Sequence, residues 1–556
     1  MLQKNLSYIN NEVLKNKLEK ISINESKRNI TYCITPSNDY ILLQNDLPLD
    51  DVNNPKEAIK QHLKKNIKYE MKSNDIIINF GIGLGYLLDE TYNTYPSKIY
   101  IYEPDIMLLH FVLSNIDISE HLAEGRVFIY TDLKDLLKKI EETYLTKDKI
   151  EVVYLPNYAI IRNKELLELT QKVYDTCQSK LIDLNTITRF SGTWLVNTLN
   201  NIASINNNGA YLASDLEKKF ISQTALIIGA GPSLIDNIEK IKANRNKYVI
   251  FAVNKVVKYL AEKGLVPDFI VCLDAENMEK TLNVPNEYLS KTNCIVDIKA
   301  DKFVFTKKFN KIFINFSDSD TITQDLAKYN NSVKLYESGG SAATLALVLA
   351  VKFGFTKILL AGIDLAFKDS TIYASGEQIN RINPEMIKVD DIKKNLVKVK
   401  SVKGNEVYTR NDYAVFIKHF ETLIKSLGPT EICNLSDFGA EIKGTKNVSF
   451  DEINFQAVAN MYPVNTANVF KLKIDDYIQN EFFHINNIIS ILSKGVYSSA
   501  LVNAIVKSGL IYQYMQKSVI LTLQKDFHPD LAEPFIEKTK VAIKTVVDIL
   551  QKNKLI

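Results

Sequence analysis

The 556-residue sequence contains few of the residue types that mark disulfide-rich or low-complexity proteins. It has 5 Cys, 20 Gly and 14 Pro. The cysteines are scattered and form no CxxC pair, which argues against a disulfide framework or a zinc knuckle, so we expect a reducing, cytoplasmic location. Gly and Pro are too scarce for a collagen-like or Pro-rich chain, and the length predicts several domains.

Neither positive nor negative charge predominates in the sequence. The chain has 68 Lys+Arg against 65 Asp+Glu, a formal net charge of +3, which argues against binding nucleic acid through bulk charge. Only seven of the basic residues are Arg, so a phosphate site would depend on backbone amides, hydroxyls or Lys. The most apolar uncharged run, residues 338–351, is shorter than the ~20 residues of a membrane helix, and the first residues lack the apolar core of a signal peptide. We therefore expect no membrane span.

What is present is an alternation of short apolar strands with helical segments, which is typical of an α/β protein with parallel sheets. Two segments show helical periodicity without strand-like runs: one lies between two such α/β regions, and the other lies near the C-terminus. The sequence therefore predicts a multidomain α/β chain with four segments. These are an N-terminal Rossmann-like domain at 1–163, a helical connector at 164–210, a central Rossmann-like domain at 211–454 and a C-terminal helical bundle at 455–556. Within the central domain, the polar stretch 366–410 is interpreted as a loop or lid.

The first glycine-rich turn, GIGLG at residues 81–85, follows a short apolar strand at 76–79. A second strand, 98–102, ends directly before Glu103. Strand, glycine turn, helix, strand and acid form the arrangement of a nucleotide-binding βαβ unit. It resembles the fingerprint of class I methyltransferases, in which the acid binds ribose hydroxyls. The alternative is a scaffold that binds no cofactor, and we find no downstream methyltransferase signature.

The second glycine turn carries the stronger signal. The strand at 225–228 leads into Gly229-Ala230-Gly231-Pro232-Ser233, and a helix follows, with Pro232 predicted as its first residue. Free N–H groups at the start of a helix, together with the Ser233 hydroxyl, can bind a phosphate without Arg. No GK[ST] follows, so ATP hydrolysis of the Walker type is not expected. The alternative is a structural turn packed under the helix.

Further polar residues follow the other strands of the central domain. Asn254, Asp274 and the pair Gly362 and Asp364 each come at the end of an apolar strand. A small-residue turn precedes a long helix and is a second candidate anion site; it consists of Ser338, Gly339, Gly340 and Ser341. Each polar residue alone could equally be a cap or a turn residue. Because the carboxyl ends of parallel strands meet at one edge, their recurrence predicts a ligand site there.

These residues carry a family resemblance. GAGPSL, FAVNK, PDFIVCLDAE, SGGSAATLAL and AGIDLAF resemble the motility-associated factor (Maf) family, bacterial proteins implicated in flagellin glycosylation, and the central domain is also similar to bacterial sialyltransferases. The resemblance implies a transferase that moves a nonulosonic acid of pseudaminic or legionaminic type from its CMP-activated form to Ser or Thr of flagellin, for flagellar assembly and motility. It implies no cofactor beyond that donor. Asp274 and Glu276 superficially resemble a DxD metal signature, but we expect no metal, because the glycine turn can bind the phosphate.

On this likeness the second glycine turn and the Ser338–Ser341 turn contact the donor, Asn254 and Asp274 lie near it, and Tyr373 assists the departing phosphate. Sialyltransferases use a His as general base downstream of the GID strand, whereas residues 407–412 here contain none. The nearest, His419, falls within a predicted helix, where a packed or surface role is the commoner one. The candidate proton acceptors are therefore carboxylates: Asp274, Glu337, Asp364 and Asp412.

Two functions of other classes stay open. One is a diphosphokinase acting on a pterin alcohol, because a related archaeal pterin enzyme shares this type of central domain; Asp274 and Glu276 would then bind Mg²⁺. The other is a flagellin-binding module without catalysis. The only Arg residues near the candidate site are Arg381 and Arg410, which are therefore the Arg positions to test as phosphate ligands.

Overall fold

The computed structural model describes residues 1–9, 11–22, 29–144, 148–367, 396–453, 469–495, 497–524 and 529–556. The chain forms two compact units, Met1–Asn185 and Thr186–Ile556. The division falls inside one 46-residue helix, Asn163–Asn208, which occupies most of the segment predicted as a helical connector.

The first unit contains a four-stranded parallel sheet and a small antiparallel sheet. Its strands are β1 Ile30–Ile34, β2 Tyr40–Gln44, β3 Leu47–Pro48, β4 Ile76–Phe80, β5 Lys98–Tyr102, β6 Val127–Tyr130 and β7 Ile150–Tyr154. Its helices are α1 Leu2–Leu6, α2 Glu12–Glu19, α3 Pro55–Asn66, α4 Tyr86–Thr94, α5 Ile106–Asn115, α6 Ser119–Ala123, α7 Leu133–Thr143 and α8 Tyr158–Ile161, before α9 Asn163–Asn208. The parallel sheet has the order β6-β5-β4-β7.

The central strand β4 shows why this sheet could be predicted from the sequence. All five of its residues are buried, as expected for a parallel strand covered on both faces. The antiparallel sheet β1-β2-β3 was not predicted. In β1 only the first of five residues is buried, so this strand has no continuous apolar run to mark it.

The second unit is built on a large parallel sheet. Its strands are β8 Tyr211–Leu212, β9 Thr224–Ile228, β10 Val249–Val253, β11 Phe269–Cys272, β12 Asn293–Asp297, β13 Ile312–Ser317, β14 Leu335–Tyr336, β15 Lys357–Ala361, β16 Leu396–Lys400, β17 Glu406–Arg410, β18 Glu431–Asn434 and β19 Lys446–Asn447. The order is β14-β13-β12-β11-β10-β9-β15-β18-β19, with β8 beside β13. The chain runs outward from β9 to β14 and then returns to β15, on the other side of β9. Ligands of open parallel sheets bind at such a reversal, outside the carboxyl ends of the strands.

Helices cover both faces of this sheet. The helices of the second unit that follow α9 are α10 Leu234–Ala243, α11 Val257–Glu262, α12 Met278–Thr281, α13 Asn286–Leu289, α14 Thr321–Tyr329, α15 Ala342–Phe353, α16 Asn411–Ser426, α17 Asp475–Leu492, α18 Ser499–Lys507, α19 Gly509–Gln524 and α20 Ala532–Lys552. Helices α15 and α16 share one core with the sheet, and α10 and α11 share another. The C-terminal helices α17 to α20 pack in a third core with the strands toward β13.

Two local predictions need correction. Helix α10 begins at Leu234 with Ser233 as its N-cap, so Pro232 lies before the helix and is not its first residue. The stretch 366–410, interpreted as a loop or lid, contains the antiparallel hairpin β16-β17; residues 368–395 lie outside the described residues. Among the described helices, none combines the length and the apolarity needed to cross a membrane.

Candidate functional site

At the carboxyl edge of the sheet, the turns after β9 and β15 are locked together. The Gly229 amide donates to the Ala361 carbonyl at 2.8 Å, and the Gly231 amide donates to the Gly362 carbonyl at 2.7 Å. A Cβ at Gly231 would lie 2.4 Å from an Asp364 carboxylate oxygen, and one at Gly229 would lie 2.5 Å from the Gly362 carbonyl. Both glycines are therefore needed for the close approach of two strand ends, whatever they bind.

Asp364 takes the donors of Ser233. The Ser233 amide donates to one Asp364 carboxylate oxygen at 2.8 Å, and the Ser233 hydroxyl donates to the other at 2.5 Å. Asp364 is 1% exposed, and burial raises its pKa although the Ser233 donors act in the opposite direction. A carboxylate of the protein thus lies at the start of α10, where the sequence predicted a phosphate. The phosphate contacts of Gly229, Gly231, Pro232 and Ser233 stay predictions, and a ligand there would compete with Asp364.

Two predicted residues meet at the ends of β10 and β11. The Asn254 side-chain amide donates to an Asp274 carboxylate oxygen at 2.9 Å. Asn254 is 1% exposed, whereas Asp274 is half-buried. The backbone carbonyl of Asp274 accepts from the Asp301 amide, which connects this pair to the turn after β12. The result is a polar pair at the sheet edge whose carboxylate faces outward in part.

The turn Ser338–Ser341 leads into α15. Ser341 caps this helix, because its hydroxyl accepts from the Thr344 amide at 3.1 Å. Gly339 and Gly340 have φ values of +60° and +80°, which side chains larger than Gly rarely adopt. Helix α15 connects two parallel strands and must run back along the sheet, so its N-terminus lies at the carboxyl edge. Among the described residues, the Gly339 and Gly340 amides donate to no protein acceptor; Glu337, beside them, is exposed.

The structure adds His419, which the sequence assigned to an ordinary helical position. Its Nδ1 donates to the Gly339 carbonyl at 2.9 Å, and its ring lies 3.5 Å from the position of a Cβ on Gly340. In the neutral imidazole this hydrogen bond leaves Nε2 as the unprotonated nitrogen. His419 and Gly339 are 80 residues apart, and only the packing of α16 against α15 brings them together. No spacing in the sequence could have revealed this contact.

The remaining predicted residues have other partners or lie outside the description. Asp412 is ion-paired with Arg410, so neither side chain is free of a charged partner. Glu276 forms an exposed ion pair with Arg189, and 3.8 Å separate the carboxylate oxygen from the guanidinium nitrogen. Tyr373, predicted to assist the departing phosphate, and Arg381 lie outside the described residues. Within the described ranges, no three His, Cys, Asp or Glu side chains are grouped to bind a metal ion.

In the first unit, the acid after β5 is enclosed by protein. Glu103 accepts from the Ile82 amide at 3.2 Å and from the Tyr158 hydroxyl at 2.8 Å. A Cβ at Gly81 would lie 2.5 Å from the Tyr158 ring. Burial raises the pKa of Glu103 to about 7. Tyr158 therefore makes the contact that the methyltransferase resemblance assigned to a ribose, and this favours the alternative of a scaffold.

The fold and the site edge define the class: a two-unit α/β protein with Rossmann-like parallel sheets and polar residues at the carboxyl edge of the larger one. The chain shares this fold with a Maf glycosyltransferase from Magnetospirillum magneticum AMB-1, with a TM-score of 0.69 and 14% identity, over 100% of this chain and 97% of that one. The similarity to sialyltransferases stays a prediction.

Two sequence comparisons concern parts of the chain. Residues 196–370 match the family described as 6-hydroxymethylpterin diphosphokinase MptE-like. A protein of Treponema pallidum (strain Nichols) described as uncharacterized is 31% identical over 114 residues, which are 20% of this chain and 50% of that protein. The chain thus spans about half the length of this curated relative.

Proposed function

We propose that this protein is a glycosyltransferase that moves a nonulosonic acid of pseudaminic or legionaminic type from its CMP-activated donor to Ser or Thr of flagellin in the cytoplasm. The observation that carries the proposal is the arrangement at the carboxyl edge of the larger sheet, where Asn254, Asp274, the Ser338–Ser341 turn and His419 lie. The full-length fold similarity to a Maf glycosyltransferase supports the reaction class. The donor, the acceptor and the role in motility belong to the proposal.

The chemistry needs two groups from the protein. The acceptor hydroxyl forms a bond to the anomeric carbon of the sugar, the bond from that carbon to the phosphate oxygen breaks, and CMP leaves with the electron pair. The negative charge that develops on the phosphate needs donors placed in advance. The Gly339 and Gly340 amides are our candidates for this role, because they donate to no acceptor among the described residues. Contacts of Gly229, Gly231, Pro232, Ser233 and Gly362 with CMP, and of Tyr373 with the phosphate, complete the proposed donor site.

The acceptor proton needs a base. Nε2 of His419 is the candidate that the geometry favours, because the hydrogen bond from Nδ1 to Gly339 holds the imidazole in the required tautomer beside the turn. Asp364 is less suited, since both of its oxygens accept from Ser233. Asp412 is paired with Arg410. Asp274 and Glu337 are the carboxylates that remain as alternatives.

The test is co-expression with flagellin and a nonulosonate pathway, followed by intact-mass measurement of flagellin. Wild-type protein should add the mass of one or more sugars. His419→Asn keeps a donor for the Gly339 carbonyl but removes the base, so we expect transfer to fall by about 10²–10⁴-fold, the usual contribution of general-base catalysis. His484→Asn, in the C-terminal helix α17, is the matched control and should transfer normally. An unshifted flagellin mass with wild-type protein would contradict the enzyme proposal and favour the alternative of a flagellin-binding module without catalysis.

A second candidate is a diphosphokinase that acts on a pterin alcohol, favoured by the family match over residues 196–370. It needs ATP with Mg²⁺, and Asp274 and Glu276 are the available carboxylates. A ligand that binds only the folded state raises the melting temperature. A shift with CMP and none with ATP supports the transferase, whereas a shift with MgATP alone favours the kinase. EDTA should leave the transfer reaction intact if it needs no metal.

A further inference from the structure

Lys299 is a largely buried lysine whose ammonium group has no acceptor among the described residues. It lies two residues after β12, at the same carboxyl edge as the candidate site, and is only 8% exposed. In the described part of the chain its ammonium group makes no hydrogen bond and no ion pair. Its partner is the ring of Trp194, whose centroid lies 5.0 Å from Nζ. A cation–π contact satisfies none of the three N–H donors of the ammonium group, so these donors are free to meet solvent or a ligand.

The nearby carboxylates are already engaged. Asp297 accepts from the Ser317 hydroxyl at 2.5 Å and from the Lys299 backbone amide at 3.2 Å. Asp320 caps helix α14 by accepting from the Thr323 amide at 3.0 Å. Lys299 acts on Asp320 electrostatically. Its donors nevertheless stay available to a ligand, because neither carboxylate contacts the ammonium group directly.

The position of Lys299 connects it to the polar pair Asn254 and Asp274. The side-chain amide of Asn197 donates to the Ala275 carbonyl at 2.9 Å and to the Lys299 carbonyl at 3.2 Å. This buried amide holds the turns after β11 and β12 together, so Lys299 and Asp274 lie on adjacent, mutually fixed loops. Asn197 lies one helical turn after Trp194 on α9, so the same helix supplies both the amide that joins the two turns and the aromatic ring.

Trp194 indicates the chemistry of the ligand. It is the single Trp of the sequence, is half-buried and stacks on Phe190 with ring centroids 6.0 Å apart. An aromatic ring beside an ammonium group suits a ligand that combines a ring with an anionic oxygen group. We propose that Lys299 and Trp194 form a subsite that binds an anionic oxygen group, carboxylate or phosphate, of the sugar nucleotide. This inference rests on the proposed function, because that function supplies such a ligand.

The test compares Lys299→Met with Lys308→Met, an exposed lysine on the β12–β13 connection that serves as the control. The full chain is titrated calorimetrically with CMP, with N-acetylneuraminic acid and with inorganic phosphate, and melting temperatures are measured in parallel. Because the ammonium group makes no hydrogen bond or ion pair with the described residues, Lys299→Met should have a melting temperature equal to wild type or higher. We expect affinity to fall at least tenfold, for CMP if the group bound is phosphate and for N-acetylneuraminic acid if it is carboxylate. Lys299→Arg should retain most of the binding.

Two results of the binding and melting measurements would overturn the inference. One is a lower melting temperature of Lys299→Met together with unchanged affinities, which would make Lys299 a structural counter-charge for Asp297 and Asp320. The other is wild-type protein that binds none of the three probes. The flagellin mass assay separates this inference from the proposed function. Equal transfer by wild type and Lys299→Met would refute the subsite alone, whereas Lys299-dependent phosphate or CMP binding without any transfer would refute the proposed function alone.

Discussion

The first unit contains a buried carboxyl group that should make its stability fall as the pH rises. Asp50 is 1% exposed, and neither of its carboxylate oxygens has a hydrogen-bond partner among the described residues. One of them lies 2.9 Å from the position of a Cβ on Gly83. Burial, with a smaller contribution from Asp51, raises the pKa of Asp50 from 3.8 to about 7. The folded state therefore favours the protonated form.

The sign and size follow from linkage between protonation and folding. Because the folded pKa lies above the unfolded one, the stabilising contribution of protonated Asp50 is complete below pH ~4 and is lost as the pH rises through 7. At about 1.4 kcal/mol per pH unit, the difference between the unfolded pKa of 3.8 and the folded pKa of about 7 corresponds to at most about 4 kcal/mol. Asp50→Asn removes the ionisation and should flatten this loss. Glu103, whose pKa burial also raises to about 7, should leave a smaller slope of the same sign.

The assay is hydrogen exchange of the strands β4 and β5 between pH 5 and pH 8, corrected for the intrinsic exchange rate, since the two units need not unfold together. Asp50→Asn should lose less protection than wild type over this interval, by an amount equal to 1 kcal/mol or more. Asp46→Asn, at an exposed turn position with φ of +64° that Asn also tolerates, is the control and should follow wild type. Equal slopes in Asp50→Asn and wild type would refute the reasoning.

Two further predictions concern the locked turns of the second unit. In a urea titration, Gly231→Ala should lower the free energy of unfolding by about 1–3 kcal/mol, because its Cβ would meet the Gly362 carbonyl at 2.6 Å and the Asp364 carboxylate at 2.4 Å. The control is Gly192→Ala, inside helix α9, where the nearest neighbour of the Cβ lies at 4.0 Å. This control should be neutral or stabilising in the same titration. Ser233→Ala removes the hydroxyl donor of a buried carboxylate and should cost about 1–3 kcal/mol, increasingly as the pH rises; unchanged urea midpoints at pH 5 and pH 8 would contradict this.

Some elements of the fold could be predicted from the sequence and others could not. Strands such as β4 and β9 are continuous apolar runs followed by glycine turns, and they were predicted because burial on both faces leaves that pattern. In the hairpin β16-β17, apolar residues are interspersed with charged and polar ones, and this stretch was therefore interpreted as irregular. The strand-end residues Asn254 and Asp274 were predicted to share an edge, and they are hydrogen-bonded to each other.

The α/β class, the carboxyl edge where polar residues collect and the glycines that this edge requires could all be predicted from the sequence. These features follow from local periodicity and from the rule that parallel strands point the same way. Which groups meet at this edge depends on how elements distant in the chain pack together. In the folded chain the Ser233 donors bond to Asp364, His419 contacts Gly339, and the Lys299 ammonium lies beside Trp194 with no acceptor among the described residues. Each of these contacts joins residues 80 or more positions apart, and such pairs are set by packing between elements, which no local spacing records.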